Sequence, residues 1–514
     1  MRLIRGNLVP VALALVWLAV ALTHLSLPYP SDQLHYLGAG ATFPYPVENS
    51  QLVHQMTRFG LTGPTRLAIA VFGYSQAAYY AVPLVAGLTL LLGTYAVGAQ
   101  LYSRTVGAAA AAVLLACTPI FVDATQLLPD LFATGLFTTA VALGLAVRQE
   151  RIPAAPYVFA GIGLLLGWSY SAREFIVFVW PLVPLILWPK IRGRGLIWLV
   201  APILVVIAGE SLLCWIVYGD PLARVKAILG HAQGPAPEPI AASFRDKPRT
   251  EYMMRLWQVL GGYPETRYSD HLVLHLLLAG TVIGGLVWWR TMGLLLGWVA
   301  LLYVPLTLFG GVLDPSAPKL RLQLVRYWMP IFPAFVLGGI ALVWLLASRL
   351  KTGPIKGGPI RTVPIKAGPI KAGPIAATVA AVACLVVSTP AWSQDRLVDG
   401  GHEMSALRAW LTTHVHVHEA VWSDTRTRSI LDVYQNGPFG GQAWPGRVET
   451  YAAGGPKPGH LIVLFDTDSG QVCGVCRLYG REVLATRTPS WHEVYASPEG
   501  LVRVYEVPEF TQSP

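Results

Sequence analysis

Residues 77–101 read AAYYAVPLVAGLTLLLGTYAVGAQL, an apolar run without a single Asp, Glu, Lys or Arg. A helix needs ~20 such residues to cross a bilayer, so this run is a membrane span. Ten more follow the same pattern, at 8–27, 105–121, 129–147, 156–170, 174–189, 195–217, 271–289, 292–310, 329–348 and 376–392. The 514 residues are 54% hydrophobic and only 13% charged, whereas a soluble domain carries roughly a quarter charged residues. A soluble fold is excluded. The expected fold is a polytopic α-helical membrane protein with about eleven transmembrane helices, placed as a multi-pass protein of the cell membrane.

The net charge of +10 could suggest nucleic acid, but the placement of the charges argues otherwise. With a cytoplasmic N-terminus, the inside segments hold Arg2 and Arg5, Arg104, Arg148 and Arg151, Lys190, Arg192 and Arg194, Arg290, and the stretch from Arg349 to Lys371. Every one is basic, as the positive-inside rule requires. The spans follow from hydropathy alone, so the charge pattern is independent support for them. No small-residue cleavage site follows the first run before Pro28, which makes that run an uncleaved span. Richness in Gly, Pro, Ala and Arg suits a GC-rich bacterial genome.

Four regions follow: a membrane domain over 1–350, a linker over 351–375, a last span over 376–392 and a small extracytoplasmic α/β domain over 393–514. The linker repeats Gly-Pro-Ile-Lys, and Pro at every fifth position excludes a regular helix. It reads either as a basic cytoplasmic connector or as a strand that docks a partner or anionic membrane lipids. In the last region, Glu403–Thr413 reads as a helix and Ala420–Trp422, His460–Asp466, Arg481–Ala485 and Leu501–Val507 as strands. Cys473 and Cys476 form a C-x-x-C pair with no second pair nearby, for which a local disulfide is simpler than a metal. Cys117, Cys214 and Cys384 lie in apolar runs and read as small core residues.

Three outside segments are long: 28–76, 218–270 and everything after 393. Long outer segments with short inner ones place the work outside. Asp32 stands just beyond the first span, where a carboxylate can face a cavity at the membrane surface; Ser31 or Asp32 can equally cap a helix over Gln33–Ala39. Asp130 follows Pro129 at the outer start of the fourth span, with Asp123 in the same short loop, and again a capping explanation is available. Ser171-Ala172-Arg173-Glu174 puts an ion pair in an apolar hairpin near the outer surface. Its Arg can neutralise Glu174 or grip a lipid phosphate with its planar fork. The segment 218–270 carries Arg224, Lys226, His231, Arg245, Lys247, Arg249 and Arg255, against the positive-inside trend, which suggests an anionic ligand. The tenth span opens with Lys319, Arg321, Arg326, Tyr327 and Trp328, an interface anchor or a second phosphate clamp.

These residues, in this order, resemble those of the GT-C superfamily of polytopic glycosyltransferases, especially the protein O-mannosyltransferases and the lipid A aminoarabinose transferase. The likeness covers most of 8–350. It rests on Asp32-Gln33-Leu34-His35-Tyr36, on Pro129-Asp130, on Tyr218-Gly219-Asp220-Pro221 leading a long outer loop, and on Arg326-Tyr327 with Pro330 and Pro333. The resemblance implies transfer of a sugar from a polyprenyl-phosphate carrier to a protein, lipid or glycan acceptor on the outer face, with inversion. It implies Asp32 as general base and Asp130 as a second catalytic acid that positions acceptor or sugar. It further implies Arg173, Arg326, Arg249 and Lys247 as donor-phosphate ligands, and Tyr36, His35 and Tyr327 as sugar or acceptor contacts. Gln33 stands where the family often has a second acid, and Glu174 follows the expected basic residue.

No cofactor is implied beyond the lipid-linked donor, although a divalent metal is left open. The rival class is a transporter or flippase of a lipid-linked or anionic substrate, for which Glu210, well inside the seventh run, is the clearest signal. A third class, a mere anchor for 393–514, would not need eleven spans.

Overall fold

The computed structural model describes residues 2–25, 32–45, 54–188, 193–233, 247–262, 268–316, 324–349, 372–389, 400–424, 444–451, 456–464 and 482–508, with scattered positions between them. Ser31, Arg245, Lys319, Arg321, Cys473, Cys476 and the repeat over 353–371 lie outside the described residues, as does the side chain of His231. The first half holds α1 (Arg2–Thr23), α2 (Asp32–Thr42), α3 (Phe59–Phe72), α4 (Gln76–Leu101), α5 (Arg104–Ala116), α6 (Thr118–Asp123), α7 (Pro129–Arg148), α8 (Pro156–Ala172), α9 (Leu182–Leu187) and α10 (Arg194–Tyr218). The second half holds α11 (Ala223–Gln233), α12 (Arg249–Leu260), α13 (His271–Val287), α14 (Trp289–Thr307), α15 (Phe332–Arg349), α16 (Ala372–Ser388) and α17 (Gly400–His414).

Each of the eleven apolar runs lies on a helix. Among the described residues, five stretches have the length and hydropathy of a full span: Gln76–Leu101, Pro129–Arg148, Arg194–Tyr218, Trp289–Val312 and Val325–Ser348. Local chemistry sets the ends. Ser75 and Ser103 cap α4 and α5 by accepting from the amides of Ala78 and Val106, Pro129 and Pro156 open α7 and α8, and Gly219 closes α10 at φ 70°. Several runs are not single α-helices: 105–121 breaks at Cys117 between α5 and α6. The run over 174–189 is a 3₁₀ segment, Glu174–Val179, followed by α9. Gly311, at φ 134°, ends the π turn Leu308–Val312 after α14, and a 3₁₀ segment, Val325–Ile331, precedes α15. Two of these departures, at Glu174 and Val325, bring Arg173 and Arg326 to the site. Irregular backbone at membrane depth is tolerated where protein or a cavity surrounds it.

α7 is the central helix. Nearly all of it is buried, and it packs against α4 on one side and α8 on another. α10, by contrast, packs mainly on α8 and turns Leu196, Ile197, Leu204, Val205, Trp215 and Ile216 outward, the composition of a lipid-facing surface. The contact between α8 and α10 depends on Gly163, where a Cβ would fall on the carbonyl of Leu199. The first outer segment holds two helices that hydropathy alone did not separate. α3 exposes Leu67, Val71 and Phe72, as a helix lying in the membrane interface does.

The C-terminal region packs α17 beside a five-stranded sheet in the order β2-β1-β3-β7-β6. Its strands are β1 (Val421–Ser423), β2 (Val448–Thr450), β3 (Gly459–Leu464), β6 (His492–Ala496) and β7 (Val502–Val507), with β4 (Asp466–Thr467) and β5 (Gly470–Gln471) forming a separate small hairpin. β1 runs parallel to β2 and β3, and β7 antiparallel to β3 and β6. The expected helix and three of the four expected strands are present. The fourth is corrected: 482–484 is a helical turn, and Val483 packs its side chain into the small core beside the sheet. Burial of one apolar residue is compatible with either conformation, so the short run gave the wrong period.

Candidate active site

Asp32 opens α2 directly after the first span. One of its oxygens accepts a hydrogen bond of 2.9 Å from Gln55 Nε2, and the other lies 2.8 Å from Arg326 Nη1. Burial acts to raise its pKa, but Arg326, His54, Gln55 and His35 outweigh burial and hold the carboxyl well below the usual range. Asp32 is therefore an anion with both oxygens engaged. The segment that carries Arg326 is fixed from both sides, because Trp328 Nε1 donates to the carbonyl of Leu322 and Trp298 Nε1 to that of Pro330.

Beside this pair lies a second. Asp130, in the first turn of α7, is 1% exposed, and its Oδ1 lies 2.8 Å from Arg173 Nε at the end of α8. The alignment is not that of a hydrogen bond. Both Asp130 oxygens and Arg173 Nη2 are buried without one, and orphaned buried groups of this kind call for a ligand or a water. The Arg173 guanidinium lies over the rings of Phe175 and Tyr327, at 4.5 and 4.8 Å, and those two rings stack on each other.

A third pair was not foreseen. Arg58, immediately before α3, is buried and reaches Glu174 Oε1 at 2.9 Å, while its Nη1 donates to the Tyr36 hydroxyl. Gly60 makes this approach feasible: a Cβ there would collide with the backbone at Ser171–Ala172, and the carbonyl of Gly60 accepts from Trp168 Nε1 at 2.8 Å. Burial pushes the Tyr36 hydroxyl up to about 12, so it keeps its proton. Glu174, read from the sequence as the partner of Arg173, is closer to Arg58; Arg173 Nη1 stands 3.9 Å away. Arg58 was legible in principle, since it is a basic residue in an outer segment and thus the same kind of exception that drew attention to 218–270.

Asp32, Tyr36, Asp130, Arg173, Arg326 and Tyr327 are thus brought together, with His35 half-buried near Asp32. Arg249 is exposed at the start of α12 and Lys247 is half-buried just before it; among the described residues neither makes an ion pair with this cluster. Of the basic residues in 218–270, Arg255 is buried and pairs with Glu251 within α12, and Arg224 is buried as well. It pairs with Glu210, which also accepts from Ser171, and its guanidinium bonds the carbonyls of Ser171 and Tyr170. The intramembrane charge that a transporter would use is accordingly neutralised where it stands. Among the described residues no three His, Cys, Asp or Glu side chains are placed to hold a metal ion, so the acids do not form a ready-made cage for the divalent metal left open above.

Asp123, at the end of α6, has one buried oxygen without a hydrogen bond. Burial, and then Asp130, push its carboxyl up to about 7, against the pull of Arg326. A carboxyl raised in the folded state contributes stability that is full below its unfolded pKa and is lost as pH rises through about 7. Asp123→Asn removes that loss. In thermal unfolding, its melting temperature relative to wild type is expected to rise by on the order of a few degrees between pH 5 and pH 8. A difference that stays flat across that range would count against a buried, protonated Asp123.

The chain matches no protein-family model and no curated protein sequence. Its fold matches that of ArnT from Cupriavidus metallidurans. The apo structure aligns with a TM-score of 0.62 at 13% identity over 98% of this chain and 98% of that one, and the structure bound to undecaprenyl phosphate with 0.62 at 14% identity over 97% of each. Both alignments run over nearly the full length of this chain, so the fold it shares with ArnT extends from end to end.

Proposed function

We propose that this chain, built on the ArnT fold, is a membrane glycosyltransferase that moves a sugar from a polyprenyl-phosphate-linked donor to an acceptor hydroxyl at the extracytoplasmic face. The observation that carries the proposal is the meeting of Asp32 with Arg326, at 2.8 Å, beside the half-satisfied Asp130–Arg173 pair. A base and a cationic clamp therefore stand within one buried cluster. The ArnT structure with undecaprenyl phosphate supports a lipid phosphate as the ligand of such a fold.

In the reaction, Asp32 takes the proton of the acceptor hydroxyl as its oxygen bonds to the anomeric carbon. The bond from that carbon to the phosphate oxygen breaks, and polyprenyl phosphate leaves with the electron pair. Attack opposite the leaving group inverts the centre. Arg326 and Arg173 stabilise the charge that grows on the departing phosphate, while Asp130, Tyr36, His35 and Tyr327 contact sugar or acceptor. Lys247 and Arg249, outside the cluster on the outer loop, would draw the anionic donor toward the membrane surface. The charge pattern supports a cytoplasmic N-terminus, a cytoplasmic linker over 351–375 and an extracytoplasmic C-terminal domain.

Profiling lipid-linked sugars in cells with and without the gene tests the proposal. One polyprenyl-phosphate sugar should accumulate when the gene is absent, and one envelope protein, lipid or glycan should lose that sugar. Unchanged pools, together with uptake into sealed liposomes that lack carrier lipid, would favour a transporter instead.

A further inference from the structure

Each arginine of the site is held by a carboxylate: Arg326 by Asp32, Arg173 by Asp130 and Arg58 by Glu174. The cationic clamp is therefore neutralised from within, and the acid assigned as base is spoken for twice, by Gln55 and by Arg326. A carboxylate so held is a poor proton acceptor, because basicity falls with the strength of the bonds that satisfy the anion. The same contact that places Asp32 also disarms it. The Asp32–Arg326 pair is nevertheless the most open of the three, with the Arg326 side chain 25% and the Asp32 side chain 17% exposed. In addition, Arg326 Nε is buried without a hydrogen bond, so the guanidinium is not saturated where it lies.

We propose that Arg326, besides binding the phosphate, locks Asp32 until an anion takes the carboxylate's place: the phosphate of the lipid-linked donor draws Arg326 away, and only then can Asp32 accept the acceptor's proton. This rests on the reading of the site given above and adds to it an order of events. Donor binding precedes activation of the acceptor, and without donor the site does not deprotonate a hydroxyl. Asp123, near Arg326 and protonated up to about pH 7, does not compete for the guanidinium below that pH. The groups that face Asp32 are His35 and Tyr36 from its own helix, His54 and Gln55 from the segment before α3, and Arg326 from the segment before α15, with Asp130 beyond Arg326.

Infrared difference titration of the Asp32 carboxyl, wild type minus Asp32→Asn in lipid nanodiscs, tests the exchange, with polyprenyl phosphate lacking sugar as the probe. Without lipid the carboxylate should stay ionised to below the ordinary aspartate range. With bound lipid its midpoint should rise by at least one pH unit, a tenfold change in proton affinity. In Arg326→Gln the midpoint should already be raised, with little further change on adding lipid, whereas Arg326→Lys should keep it low. The wild-type comparison stands by itself if a variant does not fold. Lipid that binds while leaving the Asp32 midpoint in place overturns the exchange and leaves the glycosyltransferase reading intact. A midpoint that lipid raises equally in wild type and Arg326→Gln overturns it as well, since the phosphate charge alone would then account for the rise. Failure of polyprenyl phosphate to bind at all overturns both.

Discussion

Asp32→Asn is expected to insert, fold and lose sugar transfer by about 10²–10⁴-fold, the usual contribution of a positioned general base. The amide keeps the shape of the side chain and an oxygen that can still accept from Gln55, which donates to Asp32 at 2.9 Å. What it lacks is the ability to take a proton. Arg326 loses its counter-ion, but the pair is partly open to solvent, so water can take the carboxylate's place at the guanidinium. Stability should therefore change far less than activity. Transfer from a synthetic polyprenyl-phosphate sugar in proteoliposomes, alongside thermal unfolding of the same sample, separates the two. An Asn variant with a third or more of the wild-type rate would remove Asp32 from the chemistry.

Arg173→Met is expected to have the largest effect on stability. Arg173 and Asp130 are 3% and 1% exposed, and removing one partner leaves the other as an uncompensated buried charge at a cost of about 3–5 kcal/mol. The guanidinium also lies over Phe175 and Tyr327, so contacts with both rings are lost. The double variant Asp130→Leu/Arg173→Met removes both charges and should recover much of the stability, yet it should remain inactive. If the double variant recovers transfer along with stability, the pair is only a structural brace and the assigned roles of Asp130 and Arg173 fall.

Much of the membrane fold was legible because hydropathy and charge report on different physics. Apolar length located the helices, and the basic segments support the orientation proposed above. Hydropathy could not reveal that 174–189 is a 3₁₀ segment joined to a short α-helix, since both conformations bury the same apolar atoms. Nor could it reveal that Arg173 ends one helix while Glu174 opens the next element, which turns the adjacent charges toward different partners. Asp32, Asp130, Arg173 and Arg326 stood out because charge at a span end needs a reason. Arg58 escaped notice in a loop read mainly for its acid. The partner of Glu210 escaped because Arg224 lies beyond the end of α10, and only the chain's return after Gly219 brings it back. In the C-terminal region, β2 and β6 were missed because short strands with mixed burial carry little alternation to read.

That return at Gly219 also has a mechanical side. Arg224 bonds the carbonyls of Tyr170 and Ser171, three and two positions before Arg173, and is pinned in place by Glu210. The root of the outer loop and the end of α8 thus share one bearing. If an acceptor or a lipid headgroup binds the loop as proposed, a pull there would reach the backbone that carries Arg173 through these bonds. The loop and Arg173, the proposed phosphate ligand, are joined at their roots rather than at their tips.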